Sequence, residues 1–246
     1  MKDSLQQPFG FRREGVMQIE QITERISYIK ASNEPLSADV GIIEGDQFFY
    51  VFDVGNTKEA AVYLQTLLKE KQIIVSHFHP DHIGNLTQLT YKTLYLGANT
   101  AKYVAKQLDK ETVEEIPGCY VVEETDRMDT GNIQAHARQI HDGVELCITQ
   151  IPSSHAKGCL ALTVDKTYTF LGDATYCTSK RGVAVYNVQL LKEQLDVLSA
   201  LETSYFLLSH AKNFVQKKET VLDELAQIYD RRKKGIPYIE VTELDK

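Results

Sequence analysis

The stretch that most constrains this chain is Val75-Ser-His-Phe-His-Pro-Asp-His-Ile-Gly-Asn85, which follows the apolar residues Ile73 and Ile74. Three of the seven histidines of the chain fall within a few positions of one another here, together with an aspartate. The apolar run predicts a buried β-strand, so this polar cluster leaves the end of a strand. Loops at strand ends commonly carry ligand sites in α/β proteins, because the strands hold them rigidly. The fold should therefore place this loop at one edge of a sheet.

Similar signals predict the secondary structure of the rest of the chain. Strands are predicted at Ile26–Ile29, Val40–Glu44, Phe48–Phe52, Ile73–Ser76, Val144–Ile148, Cys159–Val164, Tyr168–Leu171 and Tyr205–Leu208. Apolar residues at helical spacing predict helices over 57–70, 187–201 and 216–233, the first of them capped by Asn56 or Thr57. Short turns join the first three strands, which should be antiparallel. Strands followed by a helix occur in both halves, which predicts an α/β fold of two stacked halves in a single domain, residues 1–246.

Composition narrows the functional classes. A formal net charge of −7 and a pI near 5.5 provide no basic surface for nucleic acid or an anionic membrane. Residues 1–7 lack a signal-peptide core, and no segment reaches the roughly 18 apolar residues of a membrane span. The four cysteines are scattered without a paired spacing, which is typical of reduced thiols. We therefore expect a cytoplasmic protein with a small-molecule substrate and no nucleic-acid or membrane partner, and a homodimer stays open.

The histidine-rich loop indicates metal binding. His77 and His79 are two positions apart on an extended segment, so their imidazoles should point the same way. Asp81 and His82 follow Pro80, which should turn the chain. Imidazole nitrogens and carboxylate oxygens are good ligands for zinc and its neighbours, and a catalytic zinc usually takes three protein ligands. One loop cannot supply two such sets. Other parts of the chain must complete them.

Three later segments each offer one suitable donor at the end of a strand-like run. The donors are His155, Asp173 and His210. His136 and His141 do not share this context, and we interpret both as surface or structural residues.

The ordered set of donors resembles the seven-ligand signature of the metallo-β-lactamase superfamily, and it spans most of the chain. The resemblance implies a four-layer αβ/βα sandwich with two divalent metal ions at one edge, zinc first and manganese or iron as alternatives. It implies the following ligands: His77, His79 and His155 for the first ion, Asp81, His82 and His210 for the second, and Asp173 as a bridge between them.

Departures from individual branches of the family narrow the activity. Two-zinc β-lactamases typically have cysteine in place of Asp173, and the flavin-coupled di-iron branch usually has glutamate in place of His79. Glyoxalase-type hydrolases usually have a Pro-Gly-His-Thr-like run where this chain has Pro152-Ser-Ser-His155-Ala. The run Asp173-Ala-Thr-Tyr176 resembles acyl-homoserine-lactone hydrolases, whose tyrosine hydroxyl bonds the substrate carbonyl.

We therefore predict a metal-dependent hydrolase of a small ester-like substrate, with a lactone or thioester ahead of a phosphodiester. Asp81 and Tyr176 are the predicted catalytic residues beside the metals. Two other classes stay open, namely a mononuclear iron dioxygenase acting on persulfides and a non-catalytic metal-binding regulatory module. The sequence also leaves open whether residues 109–140 border the site. Whether the cations Lys180, Arg181 and Lys212 meet an anionic group is equally open.

Overall fold

The computed structural model of the protein describes residues 17–122 and 137–241. Within these residues the strands are, in chain order, β1 (Ile19–Gln21), β2 (Ile26–Ile29), β3 (Ser32–Asn33), β4 (Leu36–Ser37), β5 (Val40–Glu44), β6 (Phe49–Phe52), β7 (Lys71–Ile74), β8 (Thr93–Gly97), β9 (Cys119–Val122), β10 (Arg138–His141), β11 (Glu145–Ile151), β12 (Cys159–Val164), β13 (Tyr168–Gly172), β14 (Thr178–Lys180), β15 (Val183–Asn187), β16 (Tyr205–Leu208), β17 (Val215–Lys217) and β18 (Tyr238–Glu240). The α-helices are α1 (Lys58–Thr66), α2 (Pro80–Ile83), α3 (Ala98–Gln107), α4 (Val188–Ala200) and α5 (Lys218–Asp230). Short 3-10 helices cover Leu86–Gln88 and Val113–Glu115.

Two large sheets form the centre of the molecule. The first has seven strands in the order β1-β2-β5-β6-β7-β8-β9, and the second has six in the order β10-β11-β12-β13-β16-β17. Strands β2, β5 and β6 pair antiparallel, which confirms the predicted start of the fold. From β6 to β9 the pairing is parallel. Parallel strands need crossover connections, which are α1 between β6 and β7, α2 with the first 3-10 helix between β7 and β8, and α3 between β8 and β9.

The sheets pack face to face, with helices on both outer sides. Successive strand residues face opposite sides of a sheet. In the first sheet Ile42 therefore packs with α1 and α3, whereas Ile43 packs toward the second sheet. In the second sheet Leu207 faces the first sheet, and Phe206 packs with α4 and α5. The result is helix–sheet–sheet–helix, so the predicted α/β four-layer αβ/βα sandwich is confirmed.

Four predicted strands have the predicted bounds; the other predicted elements differ by a few residues at their ends, and for two of them the structure gives a clear reason. Strands β2, β5, β12 and β16 match the prediction. The strand predicted at Ile73–Ser76 is β7, which ends at Ile74 because the Ser76 N–H bonds the Asp53 side chain instead of a neighbouring strand. Helix α1 ends at Thr66, where Leu67 turns to an extended conformation and leaves Leu68 almost fully exposed.

Strand β8 and helix α3 are absent from the predicted elements. The helix begins after Gly97 without a side-chain cap, so its start carries no capping residue. Within residues 109–140, whose role the sequence left open, the structure describes a 3-10 helix, β9 and the start of β10. Residues 123–136, and with them His136, lie outside the described residues, so a role of this segment beside the site stays a prediction. Among the helices of the described ranges, none combines the length and apolar character needed to cross a bilayer.

Candidate metal centre

The predicted donors come together at one edge of the sandwich. Strand β11 pairs antiparallel with β12, β12 pairs antiparallel with β13, and β13 runs parallel to β16. Strands β11, β13 and β16 therefore point the same way, and their carboxyl ends lead to His155, Asp173 and His210. The loop after β7 in the first sheet meets them. Topology thus gathers residues that lie far apart in the sequence.

The loop after β7 divides into two parts that face different donors. His79 is the extended N-cap of the four-residue helix α2, and Pro80 occupies its first turn, where a fixed φ suits a helix start. The rings of His77 and His79 lie on the same side of the extended part, with centroids 4.5 Å apart. Asp81 and His82 lie on α2, which turns them toward a second group of donors.

The first donor group consists of three imidazoles. His79 Nδ1 lies 3.0 Å from His77 Nε2 and 3.0 Å from His155 Nε2. Ligand atoms about 2.0–2.1 Å from a tetrahedral zinc ion are separated by about 3.3 Å, so this spacing fits one metal ion. Burial, and then the charge of neighbouring histidines, lowers the pKa of both His77 and His79. Neutral imidazole is the form that binds a metal.

The second donor group contains two carboxylates and two imidazoles, namely Asp81, His82, Asp173 and His210. His210 Nε2 lies 2.9 Å from Asp81 Oδ2, and His82 Nε2 lies 3.5 Å from the same oxygen. Across residues 17–122 and 137–241, neither His82 Nε2 nor Asp173 Oδ1 has a hydrogen-bond partner, although both atoms are buried. Buried polar atoms rarely lack a partner, so these two fit a metal site well.

Asp173 lies between the two groups. Its Oδ2 is 3.4 Å from His155 Nε2 of the first group and 3.4 Å from His82 Nε2 of the second. A carboxylate in this place is suited to bridge two cations. The ligand roles and the bridge remain predictions, whereas the convergence of all seven side chains is a property of the structure. The nitrogen and oxygen donors suit zinc, manganese or iron, and the geometry of the chain does not choose between them.

A fully buried carboxylate that sequence reasoning missed holds the histidine loop. Asp53 Oδ2 lies 2.8 Å from His82 Nδ1, and Asp53 accepts hydrogen bonds of 2.7 Å from both the backbone N–H and the hydroxyl of Ser76. The Ser76 hydroxyl in turn lies 2.9 Å from His77 Nδ1. A partner at Nδ1 orients a metal-binding imidazole and directs Nε2 toward the metal. Asp53 directly follows β6, the parallel neighbour of β7, so its position at a strand end was the available signal.

In the second group, neighbouring charges shift the pKa values of His82 and Asp81 in opposite directions. Burial alone would lower the pKa of His82, but Asp53 and Asp173 together raise it to about 10. For Asp81, burial raises the pKa, and the hydrogen bond from His210 together with the charge of His82 outweighs it, so that the pKa falls below its usual value. Metal ions would replace the proton on His82 as the positive charge of this group.

A second missed carboxylate, Asp39, fixes the turn that carries His210. Asp39 Oδ2 accepts a hydrogen bond of 3.0 Å from the His210 N–H, and the Asp39 N–H donates to the Ser209 hydroxyl at 2.9 Å. His210 has a φ of +61°, a left-handed conformation that is unfavourable for a residue with a side chain. Tertiary hydrogen bonds of this kind hold such a conformation in place.

Tyr176, a predicted catalytic residue, lies beside the first donor group. Its ring centroid is 6.3 Å from that of His155, and its hydroxyl donates to the Ser209 carbonyl at 2.5 Å. Burial, followed by the charge of Asp173, raises its pKa, so the group stays a neutral hydroxyl. To bond a substrate carbonyl it would have to leave Ser209, so the predicted contact stays a prediction.

Other residues singled out in the sequence belong to neither donor group. Lys180 Nζ sits 3.5 Å from the ring centre of Tyr238, Arg181 occupies the exposed turn between β14 and β15, and Lys212 is exposed. His141 is exposed and pairs with Glu145 at 2.5 Å. None of the described cysteines belongs to either donor group.

Comparisons with known proteins agree with this geometry. The sequence model of the metallo-beta-lactamase superfamily matches residues 33–113, which contain the histidine loop. No curated protein sequence gives a significant match.

Solved structures share the fold at low sequence identity. A stereoselective inverting sec-alkylsulfatase from Pseudomonas sp. superposes with a TM-score of 0.62 at 14% identity, covering 87% of this chain and 42% of the sulfatase, so this chain spans less than half of that protein. A metallo-beta-lactamase from Pontibacter korlensis gives a TM-score of 0.58 at 14% identity, covering 88% of this chain and 100% of that one. A variant of a flavo di-iron protein from Thermotoga maritima gives 0.61 at 13% identity, covering 89% and 64%. At such identities the likeness establishes the fold and not the reaction.

Proposed function

We propose that the chain is a metal-dependent hydrolase of the metallo-β-lactamase superfamily with a dinuclear centre, because the superfamily model matches residues 33–113 and solved structures of the superfamily share its fold. The observation that supports this proposal is the pair of adjoining donor groups, with one oxygen of Asp173 3.4 Å from a histidine nitrogen in each. When bound, two divalent ions at such a centre activate water for attack at neutral pH and polarise the oxygen of the bond that is cleaved.

Two side chains beside the donor groups can orient the reactants and transfer protons. Asp81 is half-buried, and its Oδ2 lies against His210 Nε2. Beside the metals, this carboxylate can orient the attacking water and carry a proton to the leaving group. The Tyr176 hydroxyl could turn from the Ser209 carbonyl to a substrate oxygen.

We further propose that the substrate is a small ester-like molecule, with a lactone or thioester ahead of a phosphodiester. The net charge of −7 disfavours long polyanionic substrates. Among proteins of the same fold, one is a sec-alkylsulfatase and others are metallo-beta-lactamases, so sulfate esters and lactams belong in the test as well. Asp173, where two-zinc β-lactamases typically have cysteine, disfavours the lactams.

Metal analysis combined with a substrate panel tests the proposal. Protein purified without added metal should contain about two zinc or manganese ions per chain, and the zinc- or manganese-loaded protein should hydrolyse a lactone or thioester. Turnover of phosphodiesters alone would overturn the substrate ranking. One iron per chain with oxygen uptake would identify the iron dioxygenase instead, and bound metal without turnover would identify the regulatory module.

Two histidine variants separate the site from the rest of the surface. His155→Ala should lose metal because one imidazole of the first group is removed. His141→Ala removes an exposed imidazole outside both groups and should keep the full metal content. Equal metal content in the two variants would contradict the ligand assignment.

A further inference from the structure

Gln194 is a polar residue in the apolar face of α4. Leu191, Val197 and Leu198 on the same face pack in the core between α4, α5 and the second sheet. Gln194 lies among them with 1% of its surface exposed. A side-chain amide at a core position of a helix is costly to bury unless its hydrogen bonds are satisfied. Its partners therefore indicate why the residue is there.

Both amide hydrogens of Gln194 reach backbone carbonyls of two different loops. Nε2 donates to the Pro152 carbonyl at 2.7 Å and to the Ala174 carbonyl at 2.6 Å. The donors of a planar amide have a fixed angle between them, so this one group holds two loops at a defined separation. Ser153 strengthens the connection, because its hydroxyl donates to the same Ala174 carbonyl at 2.7 Å.

The two loops are those that carry His155 and Asp173. Pro152 precedes His155 by three residues, and Ala174 directly follows Asp173. The Ser153 hydroxyl also accepts the His155 N–H at 3.0 Å, which links the hydrogen bonds at the helix to the backbone of the histidine. Gln194 thus lies behind the place where His155 Nε2 and Asp173 Oδ2 are 3.4 Å apart.

We propose that Gln194 is a positioning residue that sets the separation of the His155 and Asp173 loops, and with it the metal affinity and ligand geometry of the centre. The inference rests on the proposed function, since it takes both residues to be metal ligands. An apolar residue of similar length would fill the same space in the core. The amide is therefore needed for its two donors and not for its volume.

The test compares Gln194→Met with a matched control on the same helix. Methionine keeps the length and volume of the side chain but cannot donate to either carbonyl. Gln189→Met makes the same chemical change at an exposed position, where the glutamine amide donates to the Glu193 carboxylate at 2.9 Å. Circular dichroism and thermal unfolding report the fold of each variant. Titration of the metal-free proteins with Co²⁺ reports affinity, and the visible d–d absorption bands report ligand geometry.

We expect Gln194→Met to fold, to bind Co²⁺ about tenfold or more weakly than the wild type, and to show shifted d–d bands. Gln189→Met should match the wild type in both measurements. Wild-type affinity and an unchanged spectrum in Gln194→Met would overturn the inference while leaving the proposed hydrolase intact. A wild-type protein that binds no Co²⁺ would overturn the metal centre itself, and the inference with it.

Ser153→Ala keeps the inference testable if Gln194→Met does not fold. This variant removes the other donor to the Ala174 carbonyl, the Ser153 hydroxyl, which lies in a loop and not in the core. The same spectral shift with a smaller loss of affinity supports the inference. A wild-type spectrum and affinity in Ser153→Ala would count against it.

Discussion

Asp53→Asn should weaken metal binding through the tautomer of His82. Asparagine has the size of aspartate, so the core around this fully buried residue is preserved. His82 presents Nε2 to the second donor group, and for Nε2 to bind a metal, the proton of a neutral imidazole must be on Nδ1. In the native protein that proton points at Asp53 Oδ2, 2.8 Å away. Asparagine cannot reproduce this arrangement in either orientation.

In one orientation the asparagine nitrogen replaces Oδ2 and donates to His82 Nδ1, which moves the imidazole proton to Nε2 and blocks the metal. In the other, the oxygen faces His82, and the nitrogen replaces Oδ1 beside the Ser76 N–H, which lies 2.7 Å from Oδ1 in the native protein. Two donors then face each other in a buried place. Each orientation loses one charge-assisted hydrogen bond, which is worth about 1.5–3 kcal/mol.

That loss corresponds to a measurable change in affinity. Each 1.4 kcal/mol is about a factor of ten in a binding constant. Changes to groups that orient metal ligands typically lower metal affinity by about 10–100-fold, which lies in the same range. We therefore expect the second metal to bind Asp53→Asn about 10–100-fold more weakly than the wild type.

Competition with a chromophoric chelator measures this affinity. Asp142→Asn is the matched control, because Asp142 is also buried and accepts hydrogen bonds from the Gln47 and Phe48 N–H groups at 2.9 and 3.0 Å. That variant should lose stability and keep both metal affinities. Wild-type affinity in Asp53→Asn, or equal losses in the two variants, would refute the tautomer argument.

Four further predictions concern the same site. Asp173→Ala should lose at least one metal and lower kcat/KM by orders of magnitude; two retained metals with near-normal turnover would exclude the bridge. Tyr176→Phe should keep its metals and lower kcat/KM by an amount that corresponds to about 1–3 kcal/mol of transition-state stabilisation. Unchanged kinetics would show that the hydroxyl bonds Ser209 and not the substrate. In the metal-free protein, burial lowers the pKa of His82, but Asp53 and Asp173 together raise it to about 10. Metal binding at neutral pH should therefore release a proton, detectable by calorimetry in buffers of different ionisation enthalpy. Stability of the metal-free protein should fall as pH rises from about 6.5 toward that value, and a flat profile would contradict the shift.

The sequence predicted the donors because their signal is local or repeats a simple rule. His77, His79, Asp81 and His82 lie in one loop, so no knowledge of the fold is needed to bring them together. Asp173 and the two later histidines follow strand-like runs, and the family resemblance implied that they meet at one metal site. The α/β fold of two stacked halves was predictable because strand-like apolar runs alternate with amphipathic helices, whereas the four-layer arrangement came from the family resemblance. These features depend on short stretches of sequence that can be interpreted independently.

Residues that hold the donors were harder to find, because each acts through a contact distant in sequence. Asp39 bonds the backbone of His210, 171 residues away. Gln194 donates to carbonyls 20 and 42 residues away. A backbone N–H or carbonyl has no side-chain identity, so no residue pattern marks such a partner. The sequence shows only the side chain and gives no sign of the backbone group that it bonds.

One physical signal nevertheless marks these residues. Asp53 ends an apolar strand, and Gln194 interrupts an apolar helix face, so each is a polar group where the surrounding pattern requires burial. Since a buried polar group destabilises the fold unless it is paired, such a residue must have a defined partner. In this protein the partners are the loops that carry His82, His155 and Asp173. A polar residue at a core position is therefore a place to look for the support of a site, even when the site itself is formed by other residues.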